Sequence, residues 1–556
     1  MKSGFKDPLN YIILFCFCYL WAYGLAYDFS RISHETNRYL NDYLLNKAIG
    51  VNSYSIIKNR QSSDKDNYKQ VLFNSLKNIS LALIKDENYQ ASVSMLESAN
   101  LIKPNDCVVN FYLALAYLKI NRPDLTKIIL NDIHNTNDIS IITALLQNYQ
   151  SNFDSALNEL SKVKAPLSDY ETKVFYDLKT DTLLKLGILE NAQKTLLEYA
   201  KTTQNEYTKI IIEAKSNFLG QITTADFKNL IQAGQIYPYD TAWHDLLAKY
   251  YQINSDFDKA NQEYIKAFNC KRLDFRLYKD YTMYTMGLQN YKLALTTINH
   301  YLIYNPFSLK FKCLQSDAYL KLNQLDKAQD TLNTCIQTNP CYAEAYLKLS
   351  QIFYNNKNFN KCESVLLKLI DKCPQYPQGY FKLAENYEAQ GNTKLALANY
   401  QKFINLNSKY SGQLNIFINH EIAIAYASLG LNYYKNNASE KLLKAAYNFN
   451  QLKFIPSNNI LFAKVRPVKY SQSYKQIKDN PEINRILIAD MLVEKNQFRD
   501  AISQYNEALK INPNDENISN YLNYVYIQQQ DYLNSFNQSY NMLQNLINKS
   551  VNSIHL

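Results

Sequence analysis

Glycine and proline are scarce in this chain, with 11 and 13 copies among 556 residues. Strand-rich proteins and phosphate-binding α/β proteins usually use more of both in their turns and loops. The shortage disfavours those classes and favours helices joined by short connections. With 47% hydrophobic and 20% charged residues, the chain has enough apolar surface for several domains or for one long repetitive body.

Runs of like charge are also absent. The formal net charge is +10, but the lysines are interspersed with Asp and Glu, and no five basic residues follow one another. Nucleic-acid-binding proteins usually carry a basic patch or stripe. We therefore predict no nucleic-acid partner.

The motifs of common enzyme sites are missing from the sequence. The six histidines are scattered, and there is no HExxH pair, no GxxxxGK[ST] loop, no GxGxxG and no GxSxG. His420 and Glu421 resemble part of a metal-binding helix, but the second His is missing, so we interpret them as a surface pair. We predict a protein that is not an enzyme and that needs no cofactor or metal.

Cysteine offers no obvious chemistry either. Seven cysteines follow residue 26, an odd number that leaves at least one unpaired, and no CxxC or Cys/His metal spacing occurs. Which of them form disulfides stays open. They are Cys107, Cys270, Cys313, Cys335, Cys341, Cys362 and Cys373.

The first 26 residues predict a cleaved signal peptide. Lys2 and Lys6 precede an apolar stretch at 11–26, which ends in small residues at the positions that a signal peptidase reads, so we expect cleavage after Ala26. An uncleaved anchor is the alternative, but 16 apolar residues span only about 24 Å of a hydrocarbon core of roughly 30 Å. No later stretch is apolar enough to cross a bilayer. We predict an exported chain, periplasmic, envelope-associated or secreted, without a transmembrane span after cleavage.

Two stretches of the chain repeat each other 34 positions apart. Residues 339–357 read NPCYAEAYLKLSQIFYNNK, and residues 373–391 read CPQYPQGYFKLAENYEAQG. Apolar residues recur in each at steps of three and four, which is one face of a helix, and a second helical pattern follows. A helix pair of this size must bury its apolar face against the next pair. Three series keep the period: Pro306, Pro340 and Pro374; Ala294, Ala328, Cys362 and Ala396; and Tyr319, Phe353 and Tyr387.

These residues resemble the tetratricopeptide repeat family, whose 34-residue pattern is W-x2-L-G-x2-Y, then A-x3-F, then P. One copy reads Tyr380-x2-Leu383-Ala384-x2-Tyr387 with Ala396-x3-Tyr400, and Ser408 replaces the final Pro. The resemblance implies an all-α fold, an α-α superhelical solenoid of tetratricopeptide-like helix pairs. Other copies are Trp243-x2-Leu246-x3-Tyr250 with Ala260-x3-Tyr264, which is one residue longer; Ile488 to Pro513; and weaker ones from Ile79 to Pro104, around Ala114 and around Ala192.

Cysteine also occupies small positions of this repeat. Cys362 stands where other copies have Ala, and Cys335 stands at a small position of the preceding copy. We interpret both as small buried hydrophobes.

The predicted segments are a signal peptide (1–26), an N-terminal helix and polar linker (27–70), degenerate repeats (71–228), a central array (229–409), an extended helix pair (410–455), a linker (456–480) and a C-terminal repeat pair (481–556).

The first helices of such pairs form a long concave wall, on which a partner's extended segment or helix can lie. We predict that this wall binds a protein. Some members of the family hold a partner's terminal carboxylate with paired Asn and Lys on this wall; Lys310, Lys348 and Lys382 match those positions, but the Asn residues are missing. The predicted wall residues are Glu344, Leu347, Lys348, Gln351, Tyr354, Gln378, Phe381, Lys382, Glu385 and Glu388.

Two classes of function fit these observations. The first is a protein-interaction scaffold exported to a bacterial envelope, which binds other exported or envelope proteins. The second is a carbohydrate-associated subunit of a polysaccharide synthesis or export system, because a groove rich in tyrosine can stack on sugar rings, and a glycan is then the partner. An adaptor of a eukaryotic secretory pathway is a further alternative. We expect Tyr354 and Phe381 to point away from the repeat core as aromatic anchors.

Overall fold

The structure is a computed structural model. It describes residues 65–435 except 86, 221, 271–273, 411–412 and 415; positions 441, 444–445 and 447–448; residues 479–529 except 514; and positions 534 and 538. These residues form 24 α-helices and one short 3₁₀ segment at Ser408–Tyr410, and no strand occurs among them. The all-α prediction is confirmed.

The chain divides into two compact units, residues 1–349 and 350–556, and the boundary falls inside the helix Ala343–Asn355. The helices up to that boundary are α1 Lys65–Lys85, α2 Tyr89–Ile102, α3 Cys107–Lys119, α4 Pro123–Leu130, α5 Thr136–Tyr149, α6 Phe153–Ser161, α7 Asp169–Lys185, α8 Leu189–Thr202, α9 Glu206–Leu219, α10 Thr224–Ile236, α11 Thr241–Ile253, α12 Phe257–Asn269, α13 Phe275–Gly287, α14 Tyr291–Tyr304, α15 Leu309–Lys321, α16 Leu325–Thr338 and α17 Ala343–Asn355.

Unit 2 takes the end of α17 and the remaining helices. They are α18 Phe359–Lys372, α19 Pro377–Ala389, α20 Thr393–Asn407, α21 Ile416–Lys435, α22 Pro481–Glu494, α23 Phe498–Ile511 and α24 Glu516–Gln528. Up to α20, each odd-numbered helix is the first and each even-numbered helix the second of a pair. No helix among the described residues is both long and apolar enough to cross a membrane.

A residue in the left-handed conformation closes the turn between the two helices of almost every pair. At Gly391 the φ angle is +76°, which glycine adopts without steric cost. Successive turn residues from 255 to 391 are 34 positions apart, so the turn keeps the period of the repeat. The turn residues are Glu87, Asn121, Ser151, Gly187, Ser255, Gln289, Asn323, Lys357, Gly391 and Asn496.

Small side chains allow the helices of a pair to approach closely. One lies seven positions before the turn residue and one five positions after it, and all are buried. Where the second is a hydroxyl, it can donate to a carbonyl of the first helix, as Ser92 does to Ser80 (3.2 Å) and Thr126 to Ala114 (3.1 Å). The pairs are Ser80/Ser92, Ala114/Thr126, Ala144/Ala156, Thr180/Ala192, Ala248/Ala260, Thr282/Ala294, Ser316/Ala328, Ser350/Cys362, Ala384/Ala396 and Ala489/Ala501.

This geometry corrects the alignment of one copy. His244, and not Trp243, lies as many positions before the turn residue Ser255 as Tyr380 lies before Gly391. With His244 in this place, the copy has the ordinary repeat length. His244 is buried, and Trp243 packs instead against Gly234, where an added Cβ would lie 2.7 Å from the ring. The sequence suggested Trp243 because Trp is the family's usual residue at this position. Cys335 and Cys362 are buried, as predicted.

Several helix pairs share a continuous apolar core. In unit 1 one cluster runs from Phe73 to Leu178 through the first four pairs. In unit 2 another joins α21 to α22, α23 and α24, with Ala423 and Ala427 of α21 in contact with the later helices. Each pair thus completes the core of its neighbour, as expected for repeats that cannot fold alone.

The first helix begins earlier than the sequence suggested. Residues 65–70 were predicted to belong to a polar linker, but they form the first turns of α1. Polar residues without Gly or Pro continue a helix readily, so a polar composition did not mark its start. The predicted signal peptide, most of the N-terminal helix and linker at 27–70, most of the second helix of the segment 410–455 and nearly all of the linker 456–480 lie outside the described residues.

The packing of Ala396 against α19 yields a testable consequence. Ala396→Glu would bury a carboxylate without a partner, and we expect it to lower the free energy of unfolding of unit 2 by about 3 kcal/mol or more. Ala398 lies on the exposed side of the same helix, so Ala398→Glu is the control and should change little. Thermal unfolding followed by circular dichroism measures both; equal stability of the two variants would contradict the packing described here.

Candidate functional site

The predicted wall is divided between the two units. Glu344, Leu347 and Lys348 belong to unit 1, and the other seven residues belong to unit 2. In unit 1 the charged side chains already have partners on α15. Lys348 Nζ lies 2.8 Å from Asp317 Oδ2, and Lys310 Nζ lies 2.8 Å from Glu344 Oε1. These ion pairs connect the first helices of successive repeats.

The pKa shifts of Lys348 and Asp317 fit an ion pair that connects two successive repeats. Burial alone would lower the pKa of the Lys348 ammonium, but the carboxylates of Asp317 and Glu344 outweigh it and the pKa is raised. Burial raises the pKa of Asp317, and Lys348 opposes this effect. Because Lys310 and Lys348 are both paired, they are poorly placed to hold a partner's carboxylate. The half-buried Leu347 leaves little apolar surface between them.

Further along unit 1 the charged side chains are paired in the same way. Lys249 Nζ donates to Asp245 Oδ2 at 3.1 Å and also contacts Asp280 on α13. Burial raises the pKa of Asp245 to about 7. Two carboxylates thus share one lysine in this cluster.

In unit 2, Gln351 and Tyr354 lie at the end of α17. Gln351 donates to Asn355 Oδ1 at 2.7 Å. The half-buried Tyr354 ring meets the edge of Phe359, with a centroid distance of 5.7 Å, and burial raises the pKa of its hydroxyl. Part of the Tyr354 ring thus remains available on the wall.

The prediction for Phe381 is wrong. Its side chain is only 2% exposed and packs on Tyr400 and Phe403 of α20, at centroid distances of 5.8 and 5.1 Å. The apolar stripe of α19 that includes Tyr387 suggested that Phe381 lies outside the core. The helix is in fact covered on two sides, because its own second helix contacts the side that carries Phe381. Phe381 is therefore part of the core and cannot anchor a partner.

The remaining predicted residues are on α19. Gln378 is half-buried, and Lys382 Nζ lies 2.8 Å from Glu385 Oε2 one helical turn away. Glu388 Oε2 accepts hydrogen bonds from Tyr400 (2.9 Å) and from Lys495 Nζ (2.7 Å). Glu388 therefore connects α19 to the residue that follows α22.

Four residues of this surface were not predicted to line the wall, although His420 and Glu421 were interpreted as a surface pair. Glu421 on α21 lies near Lys382 and Glu385; burial raises the pKa of Glu421 to about 7, Lys382 opposes this and Glu385 adds to it. The Glu421 Oε2 atom is buried and has no hydrogen-bond partner among the described residues. The other missed residues are Lys495; His420, whose Nδ1 lies 2.5 Å from Glu494 Oε1; and Glu494 itself. Segment 410–455 had been separated from the array, so its approach to α19 was not predicted.

Carboxylates outnumber cations on this part of unit 2. Of the four carboxylates here, Glu385 pairs with Lys382, Glu388 with Lys495 and Glu494 with His420, and Glu421 has no ion pair among the described residues. No group of three or more potential metal ligands occurs among the described residues. This surface is suited to a cationic side chain, which would hydrogen-bond to a carboxylate. We call it the acidic wall of unit 2, defined as Tyr354, Gln378, Lys382, Glu385, Glu388, His420, Glu421, Glu494 and Lys495.

Comparison with family models places these helix pairs among known repeats. Residues 309–340 and 378–409 each match a model described as a tetratricopeptide repeat, and residues 489–530 match one described as a TPR repeat. All three segments coincide with helices of the array. A comparison with curated protein sequences finds no match.

Solved structures of similar form are helical repeat proteins of low sequence identity. Yeast Tom70 is 13% identical, with 90% of this chain and 96% of that chain covered and a TM-score of 0.38. The human IFIT1 dimer with PPP-AAAA is 14% identical, with 81% and 95% covered and a TM-score of 0.37. Pseudomonas aeruginosa PilF is 14% identical, with 36% and 91% covered and a TM-score of 0.30.

The carboxyl group of Glu421 should titrate far from its ordinary value. We expect a midpoint of about 7, against 4.5 for an ordinary Glu. A carboxyl whose pKa is raised by folding stabilises the fold fully below the ordinary pKa, and this contribution is lost as the pH rises through 7. In Glu421→Gln the fall in stability between pH 5 and 8 should be smaller than in the wild type. Carboxyl ¹³C shifts and urea unfolding across this range measure both; a midpoint near 4.5 would show that Glu421 is solvated.

Proposed function

Because the chain is a tetratricopeptide repeat protein, we propose that it is a non-enzymatic scaffold, exported to a bacterial envelope, that holds an extended segment of another protein on the acidic wall of unit 2. Repeats of this family generally serve protein interaction and not catalysis. The observation that carries the proposal is Glu421, the one carboxyl of this wall without an ion pair among the described residues. A partner with Lys or Arg side chains would supply the missing positive charge.

The wall offers both an apolar and a charged contact to such a segment. Tyr354 presents part of its ring, and aromatic side chains are frequent among the residues that dominate binding energy. Glu421 supplies a half-buried carboxyl near Glu385, and its buried Oε2 atom has no hydrogen-bond partner among the described residues. A bound ammonium or guanidinium would favour the ionised form of Glu421 and lower its pKa. Binding should therefore release a proton near neutral pH.

The N-terminal sequence supports export. Lys2 and Lys6, the apolar stretch and the small residues before Tyr27 fit a signal peptide that is removed. In that setting the partners are other exported or envelope proteins. A groove of this type in an exported protein is suited to bringing such proteins together.

Photo-crosslinking in the cells that make the protein tests the partner and the surface together. A benzophenone amino acid at Tyr354 should form adducts with a protein, mapped by mass spectrometry to a segment rich in Lys or Arg. The same residue at Leu367, which is exposed on the outer helix α18, is the control and should not capture that protein. Equal capture at both positions would refute the acidic wall as the binding surface, and capture of glycan alone would favour the carbohydrate-associated role.

Affinity for the captured segment then tests the charge. Glu385→Gln with Glu421→Gln should weaken binding by roughly tenfold or more, because the double variant removes two carboxylates that face the partner's cations. Asp371→Asn removes an exposed carboxylate from α18 and should leave binding unchanged. Isothermal titration calorimetry at low and moderate salt measures the difference; equal affinity of the double variant and the wild type would contradict the proposal.

Export makes a separate prediction. The purified native protein should begin at Tyr27 and should fractionate outside the cytoplasm. N-terminal sequencing checks the first point, and cell fractionation with a cytoplasmic marker checks the second. A protein that begins at Met1 and stays with the membrane would favour the uncleaved anchor.

A further inference from the structure

Two turns near the beginning of unit 1 are hydrogen-bonded to loops that lie far along the chain. Asn121 Nδ2 donates to the carbonyl of Phe307 at 2.7 Å, across 186 positions. Ser151 Oγ donates to the carbonyl of Cys341 at 2.7 Å, across 190 positions. Asn121 and Ser151 are the left-handed turn residues of the second and third helix pairs. Their acceptors lie in the loops that precede α15 and α17, so two successive turns meet two successive loops.

The first helix pair continues the same row. Its turn residue Glu87 accepts a hydrogen bond from the Tyr301 hydroxyl at 3.1 Å, across 214 positions. A reciprocal contact comes from the later loop, where Asn339 Nδ2 donates to the carbonyl of Tyr149 at 3.0 Å. The solenoid of unit 1 therefore curves until its first three pairs lie against α14 and the loops that precede α15 and α17.

These contacts are polar, whereas the cores on either side are separate. The apolar cluster of the first four pairs ends at Leu178, and the clusters that contain Tyr264 and Ile298 share no residue with it. Close to the contact, Ile303 remains 73% exposed and Phe307 remains 38% exposed. Opening of the contact would replace these hydrogen bonds within the protein with hydrogen bonds to water. Its net stability should therefore be small.

A further ion pair lies inside the curve. Arg276 Nη2 at the start of α13 is 3.3 Å from Asp177 Oδ1 on α7, and both side chains are reached by water. Nearby on α9, burial lowers the pKa of Lys215 to about 7, with Arg276 adding to the effect. These groups are surrounded by protein although they are not sealed from solvent. The inner side of unit 1 is thus enclosed by its own curvature.

We propose that the three turn residues Glu87, Asn121 and Ser151 form a latch that holds unit 1 closed and opens reversibly to expose its inner side. Only a few hydrogen bonds separate this closed form from a looser solenoid whose helix pairs stay intact. Unit 1 can therefore interchange between two conformations. The latch acts within unit 1 and does not depend on a partner at the acidic wall. An experiment that refutes the latch therefore leaves the proposed function untouched, and an experiment that refutes the proposed function leaves the latch untouched.

The environment of Glu87 makes the latch sensitive to pH. The pKa of Glu87 is raised to about 7, chiefly by burial and also by Asp274, against the opposing effects of the Tyr301 hydroxyl, Lys119 and the Phe275 amide. Tyr89 and Arg276 also interact with its charge. In an open form the pKa would return toward 4.5. Closure is then strongest below that value and weakens as the pH rises through 7.

The experiment measures one distance across the latch in the full chain. Spin labels on keto-bearing amino acids at Lys127 and Ile303, both exposed, avoid the native cysteines. We expect one short distance in the wild type at pH 5. Asn121→Asp with Ser151→Gly removes two donors, while both new residues tolerate the left-handed backbone. This variant should add a longer distance and raise the open-to-closed ratio by roughly 5- to 100-fold.

The chain contains its own matched control. Asn323→Asp with Ser255→Gly makes the same two changes at exposed left-handed turn positions outside the latch, and it should keep the wild-type distance. Unfolding curves of both double variants show that the helix pairs remain folded. If the latch variant keeps the single short distance, or if the control opens equally, the latch is refuted.

Glu87→Gln, carrying the same spin labels, tests whether Glu87 makes the closure depend on pH. The side chain keeps its size and hydrogen-bonding capacity but cannot ionise. The wild type should gain open form between pH 5 and 8, and this variant should stay closed over that range. If both respond to pH alike, Glu87 is not the sensor, and if neither responds, closure does not depend on pH.

Discussion

Close approach of the two helices in each pair is the constraint on which the rest of this structure depends. It requires a small side chain on each helix, at fixed positions before and after the turn, and the chain meets it with Ala, Ser, Thr or Cys throughout both units. A larger residue would separate the helices, and the apolar face that each pair offers to the next would be lost. The period of 34 residues, the curvature of unit 1 and the placement of the inner charges all follow from these contacts.

Much of this could be predicted from the sequence, because small and apolar residues keep a strict period. Ala396 and Cys362 could be placed in the core without any structure. The errors arose where a residue's environment depends on more than its own helix. Phe381 is apolar on a side that periodicity assigned to the wall, but the second helix of its pair covers that side. Trp243 was aligned with the core position of the repeat, which His244 occupies instead. A large side chain in the right sequence context need not be the one in the core.

Charged residues were harder to interpret than apolar ones. The sequence predicts that Glu344 and Lys348 lie on the wall, but only the relative position of neighbouring repeats brings Lys310 and Asp317 within bonding distance of them. Glu421 was missed because its neighbours on α19 are far away in the sequence. Most charged wall residues of both units are paired internally, and Glu421 is the exception in unit 2. A binding surface is recognised here by the lack of internal compensation and not by residue type.

The left-handed turns have a consequence for how this array could have changed over time. At most turns the residue with positive φ is not glycine, although glycine would adopt that conformation with less strain. At a turn that contacts no other repeat, such as that of Asn323, a substitution adjusts the stability of one repeat and leaves its neighbours' surfaces intact. Repeats could therefore diverge in sequence, or acquire a contact such as that of Asn121, one at a time. The turns of the solenoid are therefore positions where a new contact can be added with the least change to the rest of the structure.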